Sequence, residues 1–511
     1  MNLRLHQFEL AITLLVAATF TGRVSAQEQK FHHYKLFDLG TFGGPHNHIN
    51  ADDFLSAYYG EAQDVNNAGT VIGWADTSTP DPYQPDFCFD AECYVAHAFQ
   101  WQNGFLHDLG TLPGGASSAT SWIGTNGLIA GASQNGEIDP LLPGFPEDRA
   151  VLWRNGKIID LKTLPEGGYE SGAEAVNSSG QVVGWALNTI PDPYSMALLS
   201  NLYEYYEPVY PYQTRAFLWE HGTMKDLGTL GTGTDAFAMA INEQGQIIGI
   251  SYTNSTPNQV TTPCSTGPIP TQDPFLWENG KMIDLGTLGG TCGFPHWINN
   301  SGQVVGDSDL AGDAVSHPFL WTKASGMQDL GTLGGIYSNV AMINDSGVVV
   351  GGASLENGQF DAFLWNGKMH DLGSLDGCAF AWWINDEGQV VGNWGTDGCG
   401  EGGFLWENGG PMVDLNTLVS SNSGLSVQGA ILINDLGEIV GAGIDANGNR
   451  NAISLIPCDE NHPGIEGCDY SLVDANTTAA TRVPAPVPRT TTNRRRGAAN
   501  SMLRPLGRWF P

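Results

Sequence analysis

Residues 284–329 read DLGTLGGTCGFPHWINNSGQVVGDSDLAGDAVSHPFLWTKASGMQD, and this stretch decides the fold. It holds four anchors in order: D-L-G-T-L-G-G, then I-N, then G-Q-V-V-G, then F-L-W, before the next D-L begins. The D-L anchor recurs at Asp38, Asp108, Asp160, Asp226, Asp284, Asp329, Asp371 and Asp414. The G-x-V-V-G anchor recurs at Gly69, Gly127, Gly180, Gly245, Gly302, Gly347, Gly388 and Gly437. F-L-W ends at Trp101, Trp153, Trp219, Trp277, Trp321, Trp365 and Trp406, and Leu455 takes the Trp place in the eighth copy. Self-similarity at this period marks a repeat architecture.

Each anchor has a local physical reading. The segment ending in I-N is a short strand, A. It runs into an N-x-x-G turn, in which Asn caps the backbone and Gly supplies a positive φ. Q-V-V-G is strand B, β-branched and suited to a buried sheet. F-L-W is strand C, followed in five copies by Asn-Gly, a strong two-residue hairpin signal. K-M-x-D-L is strand D. Two tight hairpins joined by a variable B–C loop predict a four-stranded propeller blade. The chain enters at a strand D (residues 34–39) and leaves after a strand C (452–456). Pairing these ends would remove the exposed edges of an open array. The expectation is therefore an all-β, closed β-propeller of eight four-stranded blades, the last completed by the N-terminal strand.

Around this body, residues 1–26 read as a secretory signal: Arg4, an apolar run from Ile12 to Phe20, and Val24-Ser25-Ala26 as cleavage site. The run is too short to span a bilayer, and no other segment is apolar enough to be a membrane helix. The predicted organisation is a signal (1–26), an eight-repeat body with a Cys-containing extension (27–475), and a disordered Pro-, Thr- and Arg-rich tail (476–511). The chain has 54 Asp and Glu against 21 Lys and Arg, for a net charge of −33. Seven of the Arg lie in the tail, so the body is more acidic still. That body excludes nucleic acid as a partner. The protein reads as a monomer, secreted or periplasmic.

The motifs resemble the HAF-repeat family of bacterial extracellular proteins, whose name triplet stands here as His97-Ala98-Phe99. The resemblance covers about residues 34–456 and implies export and a repeat scaffold. It supplies no reaction and no catalytic residue. The triplet's first position varies (Arg215, Asp273, His317, Asp361 in other copies), which argues against a chemical role for the His.

Eight Cys in an exported chain predict disulfides. In a propeller the B–C loops and D–A connections share one face. That geometry pairs Cys264 with Cys292 and Cys378 with Cys399, leaving Cys88–Cys93 and Cys458–Cys468 as local bridges. The eight D-L aspartates read as turn acceptors rather than a metal ring. Asp307, Asp309 and Asp313 form an acidic cluster suggestive of Ca²⁺ without the Gly and distal Glu of an EF-hand, and no other cofactor is implied. Asp445, Asn447 and Asn449 make a second such cluster. His32-His33 and His46/His48 read as a mobile surface segment.

No G-x-S-x-G, H-E-x-x-H or Walker pattern occurs. The most unusual stretch is the 187–214 insertion, with Tyr194, Tyr203, Tyr205, Tyr206, Tyr210 and Tyr212. These rings would suit recognition of a glycan or a surface protein. The expectation is thus a non-catalytic scaffold binding an extracellular partner through its B–C/D–A loop face. The alternatives are a propeller hydrolase or lyase on extracellular polysaccharide, with its residues in the central channel, or a structural envelope component. A pocket with converged carboxylates would favour the enzyme.

Overall fold

The computed structural model describes residues 29–49, 62–84, 93–165, 167–196, 211–258, 268–396, 398–407, 409–421 and 423–474. The signal segment and the basic tail lie outside them. The fold is all-β; a three-residue 3₁₀ turn, Leu415–Thr417, interrupts one strand-D connection.

The fifth repeat shows the unit. Strands Gly289–Ile298 (A), Val304–Leu310 (B), Ser316–Thr322 (C) and Gly326–Asp329 (D) form an antiparallel meander. Its register runs Ile298 to Val304, Val304 to Trp321 and Trp321 to Met327. The same A–B–C–D order recurs along the chain, and the first strand of each meander lies against strands B and C of the one before. Repeats four and five share one eight-stranded sheet through a single parallel pair, Gln272 with Cys292. Repeats six and seven do so through Phe360 and Cys378.

The anchors explain why these residues form these elements. Strand A carries a β-bulge at one place in repeat after repeat: Thr120/Trp122, Ala238/Ala240, Pro295/Trp297, Val340/Met342 and Ala381/Trp383. The bulge pushes a carbonyl toward the second Gly of G-x-V-V-G. A Cβ on Gly306 would sit 2.1 Å from the Phe294 carbonyl oxygen, so only Gly fits there. The C–D hairpins use the positive φ that Asn-Gly allows, as at Asn103 (52°) and Gly104 (86°). His221, at 52°, takes the same conformation in the third repeat. Every D-L aspartate accepts a hydrogen bond from the backbone N–H two residues on, for example Asp329 from Gly331 at 2.7 Å and Asp414 from Asn416 at 2.9 Å. The turn-acceptor reading of these aspartates therefore holds.

The core lies between meanders. Phe99, Phe217, Phe275, Phe319, Phe363 and Phe404, all from strand C, are fully buried. Most of the F-L-W tryptophans are buried beside them.

The chain ends meet. Tyr34–Asp38 pairs antiparallel with Arg450–Pro457, Tyr34 opposite Pro457 and Asp38 opposite Ile453, and so supplies strand D of the eighth repeat. A second tie joins Lys30–His32 to Leu472–Asp474. His32 is thus part of a paired strand, and His33 lies 3.6 Å from Asp469, so the reading of a mobile segment is corrected. Cys458–Cys468 (Cα–Cα 5.5 Å) and Cys378–Cys399 (5.1 Å) are bonded as predicted. Cys93 and Cys292 are disulfide-bonded to partners outside the described residues, where Cys88 and Cys264 lie.

Candidate functional site

The strand-A asparagines build a ring. In Asn299 the side-chain oxygen accepts from Ser301 and Gln303 N–H, closing the A–B turn. Its amide donates to the Gln303 side chain and to the backbone carbonyl of Asn344 in the next repeat, at 3.0 Å. The link repeats from Asn177 to Asn242, Asn242 to Asn299, Asn344 to Asn385, Asn385 to Asn434 and Asn434 to Asn66. Asn66 continues to Gly124 at 3.4 Å. Gly124 has no side chain with which to reach onward, and Asn126 bonds the Ser178 carbonyl instead. The Gln of N-x-x-G-Q reaches on to a glutamate ending strand C, as Gln246 does to Glu278 at 3.0 Å.

Inside this ring lies a cavity of about 250 Å³, lined by strand A of the second to eighth repeats and by Gln63, Val65 and Asn67 ahead of strand B in the first. In six repeats the residue that follows the bulge lines the cavity: Trp122, Ala240, Trp297, Met342, Trp383 and Leu432. Trp297 stacks on Trp122 (5.1 Å) and meets Trp383 edge-on (4.8 Å). The mouth is formed by the residue after each ring asparagine. There Asp345, Asp386 and Asp435 stand side by side, with Asn67 next to them and Glu243 beyond Asn300. Asp345 accepts from Asn300 N–H and its amide, both at 2.8 Å. Asp435 accepts from Asp386 N–H (3.0 Å) and the Asn67 amide (2.6 Å). Asp386 accepts from Asp345 N–H through Oδ1 at 3.0 Å. Burial, and then the charges of Asp345, Asp435 and Glu387, raise its proton affinity above that of an ordinary aspartate.

This cavity opens among the A–B turns, not on the B–C/D–A face where a ligand was expected. Of the predicted tyrosines, Tyr203, Tyr205, Tyr206 and Tyr210 lie outside the described residues. Tyr194 packs beside Met196, Phe237 and Tyr252 in a small core. Tyr212 pairs with Pro191, so the insertion begins as an extension of the B–C hairpin. Among the described residues, no group of three or more His, Cys, Asp or Glu is arranged to hold a metal. Asp307 is committed to His296 (2.9 Å), the Asn339 amide and Val340 N–H. His46 faces Asp76 at 3.2 Å, and His48 stacks on Trp74. Asp445 accepts from Asn447 and Asn449 N–H, an ordinary turn.

The HAF position has a structural partner. His97, Arg215 and His317 each pair with the D-L aspartate of their own repeat, at 2.9, 2.9 and 3.1 Å. Asp273 and Asp361 stand in the same register opposite Asp284 and Asp371. Burial, then the facing Asp284, pushes Asp273 up to about 7. The substitutions vary the charge at one conserved geometry.

No family model and no curated protein matches this chain. Solved structures similar to it include the β-propeller domain of the trilobed protease from Pyrococcus furiosus. That match has 12% identity, covers 65% of this chain and 89% of that one, and has a TM-score of 0.34. A puromycin-hydrolyzing peptidase from Mycobacterium tuberculosis matches at 14% identity over 80% of this chain and 61% of that one, TM-score 0.39. A gluconolactonase from Xanthomonas campestris matches at 12% over 48% and 78%, TM-score 0.26. These neighbours are hydrolytic enzymes or parts of them. The expectation of a non-catalytic scaffold binding through its loop face is corrected by the cavity: it opens among the A–B turns and gathers Asp345, Asp386 and Asp435, the arrangement that favours the enzyme alternative. At these scores the likeness assigns no chemistry, which must come from the cavity itself.

Proposed function

We propose that this chain is an exported, closed eight-bladed propeller that hydrolyses or eliminates across an extracellular sugar polymer at the mouth of its axial cavity. One observation carries the reading: three successive carboxylates, Asp345, Asp386 and Asp435, converge where the cavity opens. General acid–base cleavage needs carboxyl groups of unequal proton affinity at one place. Here Asp345 and Asp435 each accept two hydrogen bonds from their neighbours. Asp386 accepts one at Oδ1 and has its proton affinity raised, so it is the proton donor in this reading. Trp122, Trp297 and Trp383 line the cavity beneath that mouth, the first two stacked on each other.

Eight blades and ring closure belong to the same proposal. They are supported by the cycle of asparagine links that returns from Asn434 to Asn66, and by strand D of the last repeat coming from Tyr34–Asp38. Export and membership of the HAF-repeat family rest on the N-terminal segment and the repeat motifs. The disulfides fit an oxidising compartment.

The test incubates the mature protein with a panel of neutral and acidic polysaccharides. Reducing ends and unsaturated sugar products are measured. Asp386→Asn should lower turnover by roughly 10²–10⁴-fold while the melting temperature stays within about 2 °C. Full activity in that variant, or no product from any polymer with the unmodified protein, would refute the proposal.

A further inference from the structure

The end of strand B in the fifth repeat holds a carboxylate with no hydrogen-bond partner among the described residues. Asp309 is 0% exposed, and neither of its oxygens has a hydrogen-bond partner. Burying a charged group without a donor or counter-charge is costly. In the first repeat the same place, three residues after the strand-B glycine, is held by Asp76, which has His46 at 3.2 Å. In the fifth repeat Cys292, locked in a disulfide, stands where His46 does.

Other oxygens converge on this carboxylate. Asp313 lies in the B–C turn at a φ of 55°, held there by its N–H bond to the Leu310 carbonyl. Its Oδ1 and the Asp309 Cβ both lie within 2.6 Å of the point where a Cβ on Gly290 would sit, so the two side chains meet over that glycine. Asp313 Oδ1 accepts from Thr291 N–H at 2.6 Å, which brings Thr291 to the same spot. The Thr291 hydroxyl is itself buried with no partner. The two unpartnered Asp309 oxygens, the Asp313 carboxylate over the same glycine and the unpartnered hydroxyl of the next residue, Thr291, thus lie in one neighbourhood, with no Lys, Arg or His among them.

We propose that Asp309, Asp313 and Thr291 bind a divalent cation, Ca²⁺. All donors are oxygens, as a hard cation requires, and the remaining ligands would be water and turn carbonyls. Zn²⁺ or Cu²⁺ would call for nitrogen or thiolate donors that this spot does not offer. Asp307 is no part of the site, because both its oxygens are engaged by His296, Asn339 and Val340. The inference is independent of the catalytic proposal. Its site lies at the B–C end of one repeat, away from the axial cavity.

The experiment measures the melting temperature of the full mature protein in EDTA and in 10 mM CaCl₂, with calorimetric titration of Ca²⁺. Extracellular Ca²⁺ sites commonly bind in the ~10⁻⁴–10⁻³ M range, so the unmodified protein should gain roughly 2–4 °C. Asp309→Asn removes the charge at nearly constant volume. It should melt higher than the unmodified protein in EDTA and show no Ca²⁺ gain. Asp313→Asn should also lose the gain. If Ca²⁺ leaves the unmodified protein unmoved, or if Asp309→Asn keeps the gain, the site does not exist. If Asp309→Asn is stabilised in EDTA but Ca²⁺ has no effect on either protein, the buried carboxyl is simply protonated, and the proposal fails.

Discussion

Replacing Asn299 by Ala tests whether the asparagine ring holds the repeats together. Asn299 is 2% exposed and makes four hydrogen bonds: two accepted from Ser301 and Gln303 N–H, and two donated to the Gln303 side chain and the Asn344 carbonyl. At ~0.5–1.5 kcal/mol net for each bond, partly recovered by relaxation, the loss is roughly 2–4 kcal/mol. The second repeat provides the converse. Gly124 breaks the ring, and its φ is not in the left-handed region. A Cβ there would meet Asn126 Oδ1 at 3.3 Å and the Val176 carbonyl oxygen at 3.4 Å, a tight but tolerable fit. Gly124→Asn restores a donor toward the third repeat and should be stabilising by about 1 kcal/mol. For a chain of this size 1 kcal/mol moves the melting temperature by roughly 1–2 °C. Differential scanning calorimetry at fixed scan rate should therefore put Asn299→Ala about 2–6 °C below the unmodified protein and Gly124→Asn slightly above it. If Asn299→Ala melts within 1 °C of the unmodified protein, or Gly124→Asn falls as far as Asn299→Ala, the ring does not carry the stability assigned to it.

Three further outcomes follow from the geometry. Gly306→Ala places a methyl 2.1 Å from the Phe294 carbonyl oxygen and 2.7 Å from the Pro295 Cα, so it should cost ~2–4 kcal/mol or more, read as a fall in the melting temperature. Asp273→Asn should stabilise at pH 8 and have little effect at pH 5 in pH-dependent melting; equal effects at both would count against a shared proton with Asp284. The sign follows from linkage: a carboxyl whose folded affinity is raised to about 7 contributes most below its unfolded value near 4, and that contribution fades as pH climbs to about 7. Leu36→Ala removes a side chain buried between Leu455 and its neighbours in the terminal strand pair, at a cost of ~2–4 kcal/mol. Protease cleavage near residues 29–40 should then speed up; an unchanged cleavage rate would show that closure does not depend on this strand.

The sequence by itself determined the repeat unit, because each strand and turn is encoded locally. Asn-Gly hairpins, β-branched strand B and the D-L aspartate turn need only short-range rules, and among the described residues they stand where the motifs put them. The pairing of Tyr34–Asp38 with the last strand C was also legible, since a unit missing strand D at one end and a spare strand D at the other have one economical solution. The disulfide Cys378–Cys399 followed from the same frame, and Cys458–Cys468 is the local bridge expected beside it. What only the tertiary structure decided is where the repeats differ in consequence. Asp345, Asp386 and Asp435 are single turn residues some forty to fifty positions apart, and nothing local distinguishes them from solvated acids. They become neighbours only because the ring brings the A–B turns together, and the strand-A bulge that turns three tryptophans into the cavity is invisible to a strict two-residue alternation. The pairing of His97, Arg215 and His317 with the D-L aspartates was hidden for the same reason. A cross-strand partner two residues out of register emerges from the sheet, and a varied position looked idle until its counter-charge was beside it.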